Sequence, residues 1–188
     1  VISGIVLAAG TGSRFGGTKQ LALLDGKPLL QHAVDALVAA GVDEVVVVTG
    51  HDAVKVAAAV KLPDAGRIVY NPAFSDGQAT SLAAAIHALD DESEAAVVLM
   101  ADQPGVTPDV VRALMDRFRA SRMQIVRAAY LDGPGPSLLS REIYGEAGHL
   151  QGDVGARELI ASHPDWVEEV PVDADVPTDV DIPEDLPS

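Results

Sequence analysis

The residues of this sequence best equipped for chemistry fall into a glycine-rich cationic loop and a set of carboxylates that follow apolar runs. The loop reads Leu7-Ala8-Ala9-Gly10-Thr11-Gly12-Ser13-Arg14-Phe15-Gly16-Gly17-Thr18-Lys19. Glycines let a chain fold back so that several backbone N–H groups point at one anion. Arg14 and Lys19 add positive charge, so the natural ligand of such a loop is a polyphosphate. The spacing is G-x-G-x-x-x-G, one residue too long for the dinucleotide fingerprint, and no G-x-x-x-x-G-K-[ST] phosphate loop is present. Asp102 comes directly after Val97-Val98-Leu99-Met100-Ala101. A carboxylate just beyond a buried strand is well placed to hold Mg²⁺, a hard cation that takes one or two carboxylates together with phosphate oxygens.

Three further segments carry polar residues in suggestive order. Asn71-Pro72-Ala73-Phe74-Ser75-Asp76-Gly77-Gln78-Ala79-Thr80-Ser81 reads as a turn opening a helix, with Gly77 allowing close backbone approach and Ser81 offering a hydroxyl. Gly152-Asp153-Val154-Gly155-Ala156-Arg157 reads as a helix start with a cation one turn on, an arrangement suited to an anion. Near the C-terminal end, Asp179-Val180-Asp181-Ile182-Pro183-Glu184-Asp185 offers a second carboxylate; Glu184 and Asp185 read as a solvated helix start. The five histidines show no metal-ligand spacing, and with no cysteine there is neither thiolate chemistry nor a disulfide framework.

The elements that must position these residues alternate between strand and helix. Ile2–Ala8, Glu44–Thr49 and Ala95–Met100 are continuous apolar runs of the kind buried on both faces of a parallel sheet. Leu29–Ala40 has helical periodicity and ends at Gly41, and Thr107-Pro108 opens a helix through Phe118. Helices are also expected over Ala53–Val60, Gln78–Leu89 and Asp153–Ala161, and strands over Arg67–Tyr70, Gln124–Tyr130 and Trp166–Val172. The pattern predicts an α/β fold, a doubly wound and mostly parallel sheet with helices on both faces, as one domain over residues 1–188. Ligands of such sheets bind at the carboxyl ends of the strands, and each chemically interesting segment follows a strand. A net charge of −15 argues against nucleic-acid binding. No apolar run is long enough to cross a bilayer, and a cytoplasmic protein is the simplest expectation.

The loop resembles the signature of nucleotidyltransferases related to the molybdenum cofactor cytidylyl- and guanylyltransferases, L-A-[AG]-G-x-[GS]-x-R-[MF]-G-x-x-K, at every fixed position. Asn71–Leu82 is similar to that family's N-P-x-[FW]-x-x-G-x-x-x-S-L block, Leu99–Pro104 to its Asp-Gln-Pro block, and Asp179–Leu186 to D-[VI]-D-T-P-E-D-L, with Ile182 in place of Thr. Gly152–Arg157 resembles a G-D-x-G-A-R block of the cytidylyl branch, and Gly135 stands where the family's G-H-P-V-L-F segment has His.

The resemblance implies a Rossmann-like nucleotidyltransferase fold and an Mg²⁺-dependent enzyme. CTP and molybdopterin cofactor would be its substrates, and a molybdenum hydroxylase apoenzyme the recipient of its product. It implies that Leu7, Ala8, Ala9, Gly10, Gly12, Arg14, Lys19, Asn71, Gly77 and Ser81 bind the nucleotide. Arg14, Lys19 and Asp102 would be catalytic, Asp102 and Asp181 the metal ligands. Gly152, Asp153, Gly155 and Arg157 would bind the acceptor. Two alternatives stay open: a sugar phosphate or methylerythritol phosphate as acceptor, or a nucleotide-binding module that delivers cofactor without catalysis.

Overall fold

A computed structural model describes residues 1–10, 12, 15–152 and 156–186. In chain order the main elements are β1 (Ile2–Ala8), a hairpin of β2 (Leu23–Leu24) and β3 (Lys27–Pro28), α1 (Leu29–Ala40), β4 (Glu44–Thr49), α2 (Ala53–Ala59), β5 (Gly66–Tyr70) and α3 (Gln78–His87). They are followed by β6 (Ala95–Met100), α4 (Pro108–Ser121), β7 (Ile125–Tyr130), β8 (Gly133–Ser140), α5 (Tyr144–Ala147), α6 (Ala156–Ser162) and β9 (Val167–Pro171).

Seven strands form one sheet in the order β5-β4-β1-β6-β8-β7-β9, and only β8 runs antiparallel to its neighbours. β1 and β4 are buried along their whole length, as their unbroken apolar runs require. Two aliphatic cores flank the sheet. Leu30, Val34 and Leu37 of α1 pack with Val111, Leu114 and Phe118 of α4 on one face, and Leu82 and Ala85 of α3 pack with Ala147 and Leu159 on the other. Helix ends follow local chemistry. Gly41 takes a left-handed conformation after α1, and the Thr107 hydroxyl accepts the Val110 N–H at 3.4 Å before Pro108 starts α4.

The strand β8 falls outside the sequence expectation, because Gly133-Pro134-Gly135-Pro136 reads as a turn. The register explains how it is tolerated. β8 pairs with β6 only from Ser137 to Ser140, so both prolines lie where the β6 side offers no ladder partner.

At the amino ends of the parallel strands, opposite the loops, Glu44 is buried. Its carboxylate accepts from the Ser3 hydroxyl at 2.6 Å, the Asp90 N–H at 2.9 Å and Arg67 at 2.9 Å. Glu44→Ala takes the acceptor from the Asp90 N–H and the partner from the Arg67 guanidinium, and leaves the buried Ser3 hydroxyl only its bond to Ser93 at 2.7 Å. It should therefore lower stability by about 2–4 kcal/mol in denaturant titration. Turnover per folded molecule should be unchanged, since this network lies at the end of the sheet away from the loops.

Candidate active site

The carboxyl ends of β1 and β6 bring together residues far apart in sequence. Lys19 follows the glycine-rich loop, and two contacts fix the chain around it. The Thr18 hydroxyl donates to Asp52, and the amide of buried Gln20 donates to the Gly10 carbonyl at 2.8 Å. From there the Lys19 ammonium reaches Asp102 at 2.7 Å and Asp181 at 3.1 Å. Burial works against the charge on Lys19, but hydrogen bonds and Coulombic attraction from Asp102 and Asp181 prevail and raise its pKa above the ordinary 10.5. A raised lysine keeps its stabilising contribution below 10.5 and loses it only as pH climbs through the folded value. The ammonium therefore stays charged throughout the neutral range.

Asp181 arrives by a strap that the C-terminal segment lays over the Asp102 loop. Val180 is buried and donates its N–H to the Asp102 carbonyl at 2.9 Å, and Gln103 donates to Asp179 at 2.6 Å. One Asp185 oxygen then accepts the backbone N–H groups of Asp181 at 2.8 Å and Ile182 at 3.0 Å. These two bonds hold the Asp185 carboxyl below its usual range. Asp185 is thus a turn-forming residue rather than part of a plain solvated helix start. Because position 182 contributes its backbone, isoleucine serves there without a hydroxyl.

Two cavities open beside this cluster. The two openings meet along Leu7, Gln78 and Met100, which line both. One, of about 350 Å³, is bounded by Ala9, Gly10, Phe74 and Ser81. The other, of about 260 Å³, is bounded by Gln103, Arg127, Ser137 and Arg157. The first is lined by Leu7, Ala9, Gly10 and Ser81 from the residues expected around the nucleotide, and the second by Arg157 from the expected acceptor set. Ala8 points its side chain into the opposite core. Asn71 is buried and spends its side-chain amide on Thr80 at 2.9 Å and Ser81 at 3.0 Å, so it orients the Ser81 hydroxyl from behind. Gly12 accepts the Phe15 N–H at 2.9 Å within the loop.

Gly77 is required where it stands. Its φ is +114°, and a Cβ there would lie 2.3–2.8 Å from the backbone of Gly152. The turn at Gly77 and the segment that holds Gly152 are therefore in direct contact. Arg14, Asp153 and Gly155, also expected in the site, lie outside the described residues.

Gly135, where the family's segment has His, lines the cavity through its backbone, and a side chain at this position would point away from it. A Cβ on Gly135 would sit 2.3 Å from the Tyr130 ring and 3.1 Å from the Ala128 Cβ, on the other side of the sheet. Tyr130 fills the space that a side chain at 135 would need, and the Arg127 side chain lines the cavity instead. Sequence reasoning passed over Arg127. The available signal was a lone charge inside the apolar strand Ile125-Val126-Arg127-Ala128-Ala129-Tyr130.

The site also suits a hard divalent cation. Asp102 and Asp181 already converge on one positive group, and two carboxylates with phosphate oxygens and water form the donor set that Mg²⁺ or Mn²⁺ prefers. Among the described residues no cluster of three or more His, Asp or Glu side chains forms an all-protein metal cage. No helix among them is long and apolar enough to cross a membrane.

The profile described as MobA-like NTP transferase domain matches residues 4–167. The chain is 31% identical over 177 residues to nicotine blue oxidoreductase of Paenarthrobacter nicotinovorans, covering 90% of this chain and 85% of that protein. The crystal structure of Rv0371c from Mycobacterium tuberculosis H37Rv superposes with a TM-score of 0.88 at 34% identity, over 98% of this chain and 94% of the other. A complex of Rv0371C with manganese gives a TM-score of 0.82 at 33% identity, over 98% and 95% of the two chains.

Proposed function

Since this chain belongs to the MobA-like NTP transferase family, we propose that it transfers CMP from CTP to the phosphate of molybdopterin cofactor, with Mg²⁺ held by Asp102 and Asp181. The observation that carries this reading is the convergence of Lys19, Asp102 and Asp181 beside a two-part cleft. One part is sized for a nucleoside, and the other is lined by two arginines that suit an oxygen-rich acceptor.

In the reaction, an oxygen of the acceptor phosphate forms a bond to the α-phosphorus of CTP. The bond to the bridging oxygen breaks, and pyrophosphate leaves with its electron pair. The attacking phosphate is already ionised at neutral pH, so the site needs no strong general base. Lys19, with Arg14 and the loop N–H groups, neutralises the charge that builds on the leaving group. When bound, Mg²⁺ withdraws charge from the phosphate oxygens. Gly10 and Ala9 lie under the nucleoside, and Ser81, oriented by Asn71, offers its hydroxyl to the base or ribose.

Ala9 sets the preference for a pyrimidine. Its methyl group occupies part of the base-side cavity and leaves less room for a purine. The wild-type kcat/KM should favour CTP over GTP by about tenfold or more, the scale on which one methyl group discriminates, and Ala9→Gly should narrow the ratio. Mass analysis of the product formed with each nucleotide and with molybdopterin cofactor, a sugar phosphate or methylerythritol phosphate identifies the acceptor. Equal use of GTP by the wild type sinks the cytidylyl assignment. Absence of pyrophosphate release with every pair favours the non-catalytic delivery module.

The name of the Paenarthrobacter relative supports a second reading, oxidoreduction of nicotine blue in the same cleft. Consumption of NAD(P)H in the presence of nicotine blue measures it directly. The ion-paired cluster favours nucleotidyl transfer, because a cation between two carboxylates suits a metal–triphosphate complex better than a hydride donor.

A further inference from the structure

We infer that Arg127 is a specificity residue, which recognises an oxygen group of the acceptor remote from its reacting phosphate; this rests on the proposed transfer reaction. Arg127 projects from β7, in register with Ser137 of β8 on one side and Glu169 of β9 on the other. Its guanidinium donates through Nη2 to Glu169, which is 52% exposed, while the Arg127 side chain is only 24% exposed. The Nε–H is buried and has no hydrogen-bond partner among the described residues. Guanidinium carries five donors in a rigid fork, and burying one unsatisfied costs free energy that a ligand oxygen can recover.

Three structural features turn this residue toward the acceptor. Arg127 lines the same cavity as Arg157, Gln103 and Ser137. The pairing of β7 with β8 slips just after it, between Arg127 and Ala129, and such irregularities re-aim side chains at the edges of sites. Pro134, Gly135 and Pro136 line this cavity beside Arg127, so its wall there is backbone and proline and offers no competing charged side chain.

Position in the sheet then fixes which part of the acceptor Arg127 meets. Ser137 is level with Arg127 and also with Val98 of β6, and Asp102 lies four residues beyond Val98. At the usual strand spacings the Arg127 backbone is about 7 Å back along the strand direction from Met100, where β6 ends, and about 10 Å across from it, and Asp102 lies past that end in the turn closed by the Gln103 N–H on the Met100 carbonyl at 3.3 Å. An extended arginine side chain does not span that separation. Arg127 therefore reads the far end of an acceptor whose phosphate lies at Asp102, and its fork selects a carbonyl or anionic oxygen there. A pterin ring carries such a carbonyl.

The test uses the whole protein with two acceptor probes, molybdopterin cofactor and ethyl phosphate, which has nothing beyond its phosphate. Arg127→Met should raise KM for molybdopterin cofactor about tenfold or more, the scale of one lost charge-assisted pair, with kcat and the KM for CTP within about twofold. Arg127→Lys should fall between, and ethyl phosphate should be used equally by all forms. Arg127→Met combined with Glu169→Gln removes the counter-charge and guards against misfolding from an unpaired carboxylate.

An unchanged KM for molybdopterin cofactor, or a parallel loss with ethyl phosphate, overturns the inference and leaves nucleotidyl transfer standing. In a separate nucleotide-free titration, the Arg127 Nε–H resonance should shift on addition of molybdopterin cofactor. Binding seen there without any turnover upholds the role of Arg127 and sinks the transfer reading. No shift and no turnover overturns both.

Discussion

Asp102→Asn should reduce turnover by about 10³-fold or more at ordinary Mg²⁺ while the protein stays folded. A neutral amide is a poor ligand for a hard divalent cation, and the change removes one of the two carboxylates that converge at this point. The side chain is 22% exposed and makes its recorded contact with Lys19, so no core packing is lost. Asparagine keeps an oxygen that can still accept from the ammonium. The stability change should therefore stay within about 1 kcal/mol, or about 2–4 °C in Tm for a chain of this size. Steady-state pyrophosphate release paired with a thermal melt checks both halves. Activity near the wild-type level would remove Asp102 from the metal site, and a collapse in Tm would mean that the carboxylate is structural.

The sequence exposes some parts of this fold much better than others, for physical reasons. β1, β4 and β6 are legible because a strand buried on both faces by parallel neighbours has to be an unbroken apolar run. α1 is legible to the residue, because periodicity marks its body and Gly41 its end. β8 is hidden, since Pro134 and Pro136 are tolerated only by a register with β6 that no local pattern reveals. The last helix is described over Ala156–Ser162, and the Asp153–Gly155 part of that reading lies outside the described residues.

The candidate site divides along the same line. Its residue types could be named in advance, because each follows a strand and resembles a known block. The contacts among them could not. Lys19 and Asp181 are separated by 162 positions, and their meeting depends on a strap held by Val180, Gln103 and Asp185. Arg127 was missed because its cavity exists only once β7, β8 and α6 are assembled. Asn71 illustrates the converse. A buried amide beside Ser81 looks like a ligand contact in sequence, yet in the fold its bonds go to Thr80 and Ser81.

Lys19→Ala should separate two properties that the wild-type site couples. Turnover should fall by at least about 10²-fold, because a preorganised cation aimed at the departing pyrophosphate is lost. Affinity for a divalent cation in the absence of nucleotide should move the other way. In the wild type the ammonium lies 2.7 Å from Asp102 and 3.1 Å from Asp181, so it neutralises the same two carboxylates that a metal would use. A metal entering the nucleotide-free site must displace that ammonium or share its partners. Removing the lysine takes away the positive charge that both carboxylates share, in a protein of net charge −15. Coulomb attraction for a doubly charged ion at that spacing then predicts Mn²⁺ binding at least about tenfold tighter, measured by electron paramagnetic resonance of the free ion. Lost turnover with tighter metal binding is the signature of a lysine that serves the triphosphate and competes with the metal. Near-wild-type turnover would leave Lys19 without a catalytic role. Weaker Mn²⁺ binding would show that Asp102 and Asp181 do not form the cation site.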